Sequence, residues 1–549
     1  MKTSNYIKIS ALLLLTGVAG CTKLHEQLTN TFTAAQTTSG LGSAGTGLLL
    51  AAAYADIPSS FIPQDELFSL EENTTDESLV PTRGGDWDDN GVWRVLHNHT
   101  WNADHGQILN VYNNLNKLNF DATNVLQFNP SKGQAAEARF LRAMSLYYLL
   151  DLFNQYPFRN PGDNLLNAPK VYSGDSAINF IISELTTILP DLSGSVASSQ
   201  AGQDAAKFLL MKCYLNRGAF LNRASPTFAD ADMQQVITLG TQLMGGKYKY
   251  MDNYFANFNF SNGNSTEAIF AYASTSGGTV NNGAVQARWM MGFHYNEYNG
   301  QAPNAGWNGF STMSDFYNTF SVGGTTNYSL ADTLLDTRIG RRALSDTTCT
   351  KYSGIRPGFL VGQQFDENGV ALKDRKGAPL SFTPAIAANM IEQGSNLEVT
   401  GIRVPKYVPD FSDPTGKWYS TNAGNWYMIF RYPDAVLMVA EAKLRAAAPD
   451  AAGALVLVNA LRTARKAAPM IAPLKLNNPA NVDDPNTLLA ERGRELYFES
   501  VRRTDLIRYK MFNVIWQLKP TDDPKYLLFP VPNQALAANP NLKQNNGYN

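Results

Sequence analysis

The stretch ADHGQILNVYNNLNKLNFDATNVLQFNPSKGQAAEARFLRAMSLYYLL, residues 103–150, decides the fold class. In its first half Ile108, Val111, Tyr112, Leu115 and Leu118 recur at intervals of three and four, which places them on one face of a helix. Pro130-Ser131 then opens a second helix. The Ser131 hydroxyl can accept from the amide three residues on, and Gln134 stands there to return the bond. This second helix carries its own apolar stripe: Ala136, Phe140, Ala143, Tyr147 and Leu150. Two amphipathic helices on a short connection bury their faces against each other, as a hairpin.

Working outward, the same pattern predicts a helix over Gly47–Ile57 and others near 174–190, 203–222 and 229–244. It returns at 434–447, 451–467 and 487–511. Helix pairs at this interval point to hairpin repeats of tetratricopeptide type. The consensus match is weak, with Ala205-Ala206, Leu210 and Tyr214-Leu215 as its strongest piece. In the last helix, Glu491 with Arg494, and Glu499 with Arg502 and Arg503, have spacings that favour ion pairs three and four residues apart along a helix. Residues 58–100 read as irregular, and 22–45 as a Thr-, Ser- and Gly-rich tether. Residues 245–430 are dominated by Gly, Asn, Ser, Thr and aromatics. They are too many for a structureless loop in a compact domain, so short helices and strands are expected there. The fold class is therefore mainly α: a tetratricopeptide-like helical-hairpin scaffold with a large irregular α+β insertion.

Composition narrows the function. The chain has 549 residues, 44% of them apolar and only 17% charged, with a net charge of −2. No basic face is available for nucleic acid. With 3 Cys and 5 His there is little material for a disulfide framework or a multi-histidine metal centre. At the N-terminus Lys2 and Lys8 form a basic region before a short apolar run over Ile9–Leu15, too short to span a bilayer. Val18-Ala19-Gly20 then precedes Cys21. Two small residues directly before a Cys form a lipobox, so 1–20 reads as a lipoprotein signal peptide and Cys21 as the lipidated first residue of the mature chain. The domain reading is 21–45 as lipidated tether and 46–549 as one body. In that body 46–244 and 431–549 form the scaffold and 245–430 a variable ligand-binding insertion. Cys213 and Cys349 are expected to be small buried hydrophobes.

Four segments resemble the SusD/RagB family of outer-membrane lipoproteins of Bacteroidetes. The first is Arg83-Gly84-Gly85-Asp86-Trp87 with Trp93 and His99-Thr100-Trp101. The second is Arg431-Tyr432-Pro433-Asp434 running into Leu437-Met438-Val439-Ala440-Glu441-Ala442. The third is Glu491-Arg492 with Arg502-Arg503-Thr504-Asp505-Leu506-Ile507-Arg508. The fourth is Phe529-Pro530-Val531-Pro532 with Asn539-Pro540-Asn541-Leu542, Gln544-Asn545 and Gly547-Tyr548. The resemblance implies the helical scaffold and also a role. Such proteins sit on the cell surface as lids over a SusC-like TonB-dependent transporter and capture oligosaccharides for import without cleaving them; some relatives handle peptides. It also implies that Ala440-Glu441-Ala442 and Asp505-Leu506-Ile507-Arg508 are packing and buried ion pairs. The Asn539–Tyr548 segment is expected to latch the C-terminus to the body.

A sugar site needs flat aromatic faces for the C–H side of the ring and polar groups for its hydroxyls. Two stretches offer both. Arg83, Asp86, Trp87, Trp101 and Asp104 form the first, which the family resemblance also places near the glycan site. Tyr295, Tyr298, Trp307 and Asn308 form the second, with Trp307 in Gly306-Trp307-Asn308-Gly309 as the leading stacking platform. Trp93, Trp289 and Trp426 are expected to be core, and Trp418 and Tyr419 are outlying candidates.

Three motifs are set aside. His97, His99 and His105 imitate a metal cluster, but only His25 and His294 remain to complete it. Asp86-x-Asp88-x-Asn90-Gly91 begins like a calcium loop, but its twelfth position is His97 instead of Glu. Gly40-x-Gly42-x-x-Gly45 matches a dinucleotide fingerprint without the preceding strand. No catalytic residue, cofactor or metal is assigned. The alternatives left open are a peptide- or protein-binding lipoprotein of the same architecture and a secreted glycoside hydrolase. The hydrolase would need a defined carboxylate pair that no motif isolates.

Overall fold

A computed structural model describes residues 42–274, 282–297, 306–320, 336–340, 357–366, 370–394, 397–409, 424–519 and 523–548. Cys21, His25, Tyr298, Cys349, Trp418 and Tyr419 lie outside the described residues.

The helices follow the sequence period. They are α1 (Gly42–Ala55), α2 (Val92–His97), α3 (Gly106–Val125), α4 (Lys132–Phe153), α5 (Gly174–Ile188), α6 (Gln203–Leu221) and α7 (Asp230–Leu243). After the irregular region come α8 (Tyr432–Arg445), α9 (Ala451–Ala464), α10 (Leu488–Leu496), α11 (Arg502–Arg508) and α12 (Asn533–Ala538). Each long helix from α3 to α9 packs on the next, with α1 on α3 and α4. The capping box at α4 is present: Gln134 N–H donates to Ser131 Oγ (3.3 Å) and Ser131 N–H to Gln134 Oε1 (3.0 Å). The stripes read from the sequence are buried, including Ile108, Val111, Leu115, Phe140 and Tyr147. At the crossing of α6, α7 and α8 only glycine fits, because a Cβ on Gly240 would lie 2.2 Å from Val439 Cγ2 and 2.9 Å from Met211 Cε.

The irregular half is pinned at both ends by one strand pair. β4 (Ala268–Tyr272) runs antiparallel to β8 (Tyr427–Arg431), with Ala268 opposite Arg431, so the insertion leaves and re-enters the scaffold at one place. Three further two-stranded pairs lie among the described residues. β1 (Thr82–Arg83) runs parallel to β7 (Ile391–Glu392). β2 (Gln155–Phe158) is antiparallel to β3 (Lys170–Ser173), and β5 (Gly362–Gln363) to β6 (Ser381–Phe382).

The predicted helix over 487–511 is corrected. It breaks into α10 and α11, with Phe498 and Ser500 in left-handed backbone (φ 59° and 60°) between them. The break turns Glu499 inward to Arg431 (2.5 Å) and Lys406 (2.6 Å) instead of along the helix to Arg502 and Arg503. Around it lies a buried ion network. Arg431 meets Glu267 (2.6 Å), Arg465 meets Glu267 and Glu495 (2.8 Å each), and Arg338 of the insertion meets Glu491 (2.8 Å). Residues 58–100, read as irregular, contain short helices at Ile57–Phe61 and Leu67–Glu72 as well as α2.

The expected ion pairs and latch are present. Arg508 bridges Glu441 (2.7 Å) and Asp505 (2.6 Å), all buried. Asn545 Nδ2 donates to the carbonyls of Phe153 (3.0 Å) and Phe529 (2.7 Å), and Tyr548 Oη to that of Leu528 (2.8 Å). Cys213 is buried, and burial pushes its thiol well above the ordinary range. Among the described residues no helix is long and apolar enough to cross a membrane.

Candidate ligand-binding surface

The two stretches singled out in the sequence meet in the irregular half. Arg83 sits on β1, and its guanidinium forms the floor of the meeting point. Nη1 donates to the carbonyls of Asn308 (2.9 Å) and Gly309 (2.5 Å), and Nη2 to Ser311 Oγ (2.8 Å) and the Thr400 carbonyl (2.8 Å). Arg403 lies beside it and donates to Asn308 Oδ1 (2.7 Å) and Ser311 Oγ (2.9 Å). Burial lowers Arg83 to about 10 and Arg403 well below its usual value, the latter with help from Arg83's like charge. Arg83 and Asn308 are thus buried and hold the 306–311 loop, with Arg83 Nε and Asn308 Nδ2 left without a partner.

On this floor stand the aromatic groups. Trp87 is half-buried and has left-handed backbone (φ 62°), which aims its ring back across the loop. Its indole N–H donates to the Trp307 carbonyl (2.8 Å), and its ring meets Trp93 and Phe310 edge to face at 5.3 and 5.6 Å. Gly309 lets it lie there, since a Cβ would be 2.5 Å from the indole. Trp307 is also half-buried, packed partly on the core. Trp93 and Trp289 are core, as expected. Trp426 is only partly buried, packed against the core.

Beside the indoles, Tyr295 donates its hydroxyl to Asp86 Oδ2 (2.6 Å), and the Arg375 guanidinium lies 3.9 Å over its ring. Arg375 Nε reaches Glu398 Oε1 (2.6 Å), and His294 Nε2 lies 2.9 Å from Glu398 Oε2. Burial lowers His294 to about 4, so it is neutral at pH 7. Because His294 Nδ1 accepts from the Asn296 amide (3.0 Å), the proton is assigned to Nε2, which donates to Glu398. Burial raises the Glu398 carboxyl, but bonds from Arg375 backbone and side chain and from His294 outweigh it, and it stays below its ordinary range. Burial and Asp86 push the Tyr295 phenol above its ordinary range. The result is an uncharged ring flanked by one cation and one carboxylate.

Trp101 and Asp104 do not join this cluster. Trp101 is 2% exposed, donates to Tyr548 Oη (2.8 Å) and packs on Phe529 (4.7 Å) and Tyr526 (4.8 Å). Asp104 accepts from Asn533 Nδ2 at the start of α12 (2.7 Å). Trp101 is thus buried against the C-terminal latch, a correction, while Asp104 is exposed beside α12. Arg375 and Glu398 were not found from the sequence. The only signal for Arg375 is its place in the tight turn Asp374-Arg375-Lys376-Gly377, where nothing shows that it folds over Tyr295.

The three set-aside histidines each face a different backbone carbonyl: His97 that of Gln517 (3.1 Å), His99 that of Thr74 (2.8 Å) and His105 that of Val92 (3.0 Å). Asp88 is taken up by Arg94 (2.8 Å) and Asp86 by Tyr295.

A stack of helical hairpins, closed by a β4–β8 clasp around an irregular half with an aromatic, polar surface, defines a class of helical binding scaffold. The model of the SusD family matches residues 266–548, and the chain belongs to that family. It is 24% identical over 508 residues to the starch-binding protein SusD of Bacteroides thetaiotaomicron, covering 88% of this chain and 85% of that protein. Among solved structures it resembles a SusD superfamily protein from Parabacteroides distasonis (TM-score 0.66, 18% identity, 92% of this chain and 99% of that one). It also resembles surface glycan-binding protein A from Bacteroides thetaiotaomicron in complex with laminarihexaose (TM-score 0.61, 13% identity, 91% and 99%).

Proposed function

We propose that this protein is a non-catalytic, lipid-anchored outer-membrane protein that captures oligosaccharides and delivers them to a SusC-like TonB-dependent transporter. The observation that carries the capture step is that Asp86-Trp87 ties the two stretches together, Asp86 through the Tyr295 hydroxyl and Trp87 through the Trp307 carbonyl, with Arg375 over one face of Tyr295. Aromatic faces supply apolar area for a sugar ring, and the rim groups supply hydrogen bonds to its hydroxyls. Relatives named for starch and laminarihexaose binding support the same ligand class. The lipobox at Cys21 supports the anchor, and family membership supports the transporter partner. A shallow polar site of this kind gives millimolar to micromolar affinity, about −4 to −8 kcal/mol.

Isothermal titration of the mature chain against a panel of neutral oligosaccharides tests the reading. Binding by at least one glycan is expected, weakened at least tenfold by Trp307→Ala or Tyr295→Ala. Silence against every glycan, or binding indifferent to both substitutions, overturns it. Release of reducing sugar by the pure protein would favour a hydrolase instead.

A further inference from the structure

The helical stack ends on α9, and that end is apolar. The inner face of α9, with Ala454, Val458 and Leu461, packs in one cluster with Leu437 and Ala440 of α8. A terminal helix of stacked hairpins needs a polar outer face to stay soluble. The outer face of α9 has none. Ala452, Val456 and Ala460 recur at intervals of four and are all exposed, Val456 by 68%. Arg462 is the only charged side chain within α9, and it is buried against Glu491.

The segment after α9 extends this face. Asn459 Oδ1 accepts from the Met470 amide (2.7 Å), and Asn459 Nδ2 donates to the Met470 carbonyl (3.1 Å). This clamp keeps Ile471, 77% exposed, beside the helix. Between residues 447 and 475, eleven of the fifteen exposed residues are apolar and three are charged, Asp450, Lys466 and Lys475. Scattered apolar side chains need no explanation, but a concentration of this kind marks a surface that another surface covers.

The pattern along α9 selects what covers it. Ala452, Val456 and Ala460 run small, large, small in either direction. A two-fold axis through Val456 sets two copies of α9 antiparallel, with Ala452 of each against Ala460 of the other and Val456 against itself. That is the self-complementarity an isologous interface requires. Antiparallel helices also oppose their dipoles. At a rise of about 1.5 Å per residue, Asp450 of one copy and Lys466 of the other come within about one helical turn along the axis. Asp450 caps the Gly453 amide (2.8 Å) and meets Lys443 (2.6 Å), yet its side chain stays half-exposed for a second cation. A bilayer would bury the same apolar side chains but imposes no such register.

We infer that this face joins two copies of the chain in a closed two-fold dimer through α9 and Ile471. The inference does not depend on the glycan reading.

Sedimentation equilibrium of the mature chain, carrying Cys21→Ser so that no lipid intervenes, tests it over about 1–100 µM, a span that covers weak and moderate dimers. The mass is expected to rise to twice that of the monomer and to stop there. Val456→Glu and Ile471→Asp, both surface changes, should each raise the dimer dissociation constant at least tenfold and leave the monomer's thermal midpoint unchanged. Lys466→Glu should raise it about threefold, as the loss of an exposed ion pair does. Leu48→Glu, exposed on α1, should leave it unchanged. Val456→Cys, on the axis, should join two copies through a short bismaleimide where the parent chain does not. A monomer at every concentration, a mass that grows beyond the dimer, self-association indifferent to Val456→Glu and Ile471→Asp, or no cross-link at Val456→Cys overturns the inference. Binding of lipid vesicles through Val456 by a chain that stays monomeric would put a membrane there instead.

Discussion

Arg83 and Trp307 are neighbours with opposite duties. The Arg83 guanidinium makes four hydrogen bonds to the 306–311 loop and Thr400 and is 4% exposed. Arg83→Met should therefore act on stability: it leaves buried carbonyls without donors, at about 1–3 kcal/mol each. A drop in thermal midpoint, read by calorimetry, is expected, with glycan affinity lost only as the 306–311 loop loosens. Trp307→Ala should do the reverse, lowering affinity with little loss of stability.

Glu66 gives a pH-dependent case. Burial, with Asp65 beside it, raises its carboxyl from 4.5 to about 8. The folded chain keeps this proton up to about pH 8 while the unfolded chain releases it near 4.5, so stability is full below 4.5 and falls as pH rises through that window. Glu66→Gln removes the slope. Its midpoint relative to the parent should rise between pH 5 and pH 8 in thermal melts; a constant difference would refute the assignment.

At the scale of elements, α8 and α11 are joined through Glu441 and Arg508, both buried and 2.7 Å apart. Burial raises the Glu441 carboxyl, but Arg508 and Arg445 outweigh it and hold it far below its ordinary range. Glu441→Gln leaves Arg445 without its buried counter-charge and Arg508 with Asp505 alone. A loss of about 3–5 kcal/mol in denaturant unfolding is expected. The helices themselves were legible in the sequence because their cause is local: apolar spacing of three and four, and a Ser–Gln cap at α4. The α10–α11 break was not legible. Glu499 looks like one member of a helical ion-pair row, and only Arg431 and Lys406, distant in sequence, draw it inward.

Across the whole molecule, the β4–β8 clasp, the Arg338–Glu491 contact and the C-terminal latch tie segments 153 to 392 residues apart. This favours one cooperative body over 46–549, and a single calorimetric transition is the expected outcome. Asn545→Ala probes the latch. It removes the donor to two buried carbonyls, Phe153 and Phe529. A cost of about 2–4 kcal/mol and earlier proteolysis at the C-terminus should follow.

The sequence alone determined the helical scaffold, the ends of most of its helices and the two stretches that hold the candidate surface. Each of these depends on residues within a few turns of one another. The tertiary structure decided which of the aromatic and polar candidates face solvent. Trp101 and Trp307 both sit among small polar neighbours in the chain, yet Tyr548, Phe529 and Tyr526 enclose the first while the second stays half-buried. Burial of a loop side chain is set by partners that arrive from far along the chain, and neither spacing nor composition carries that information.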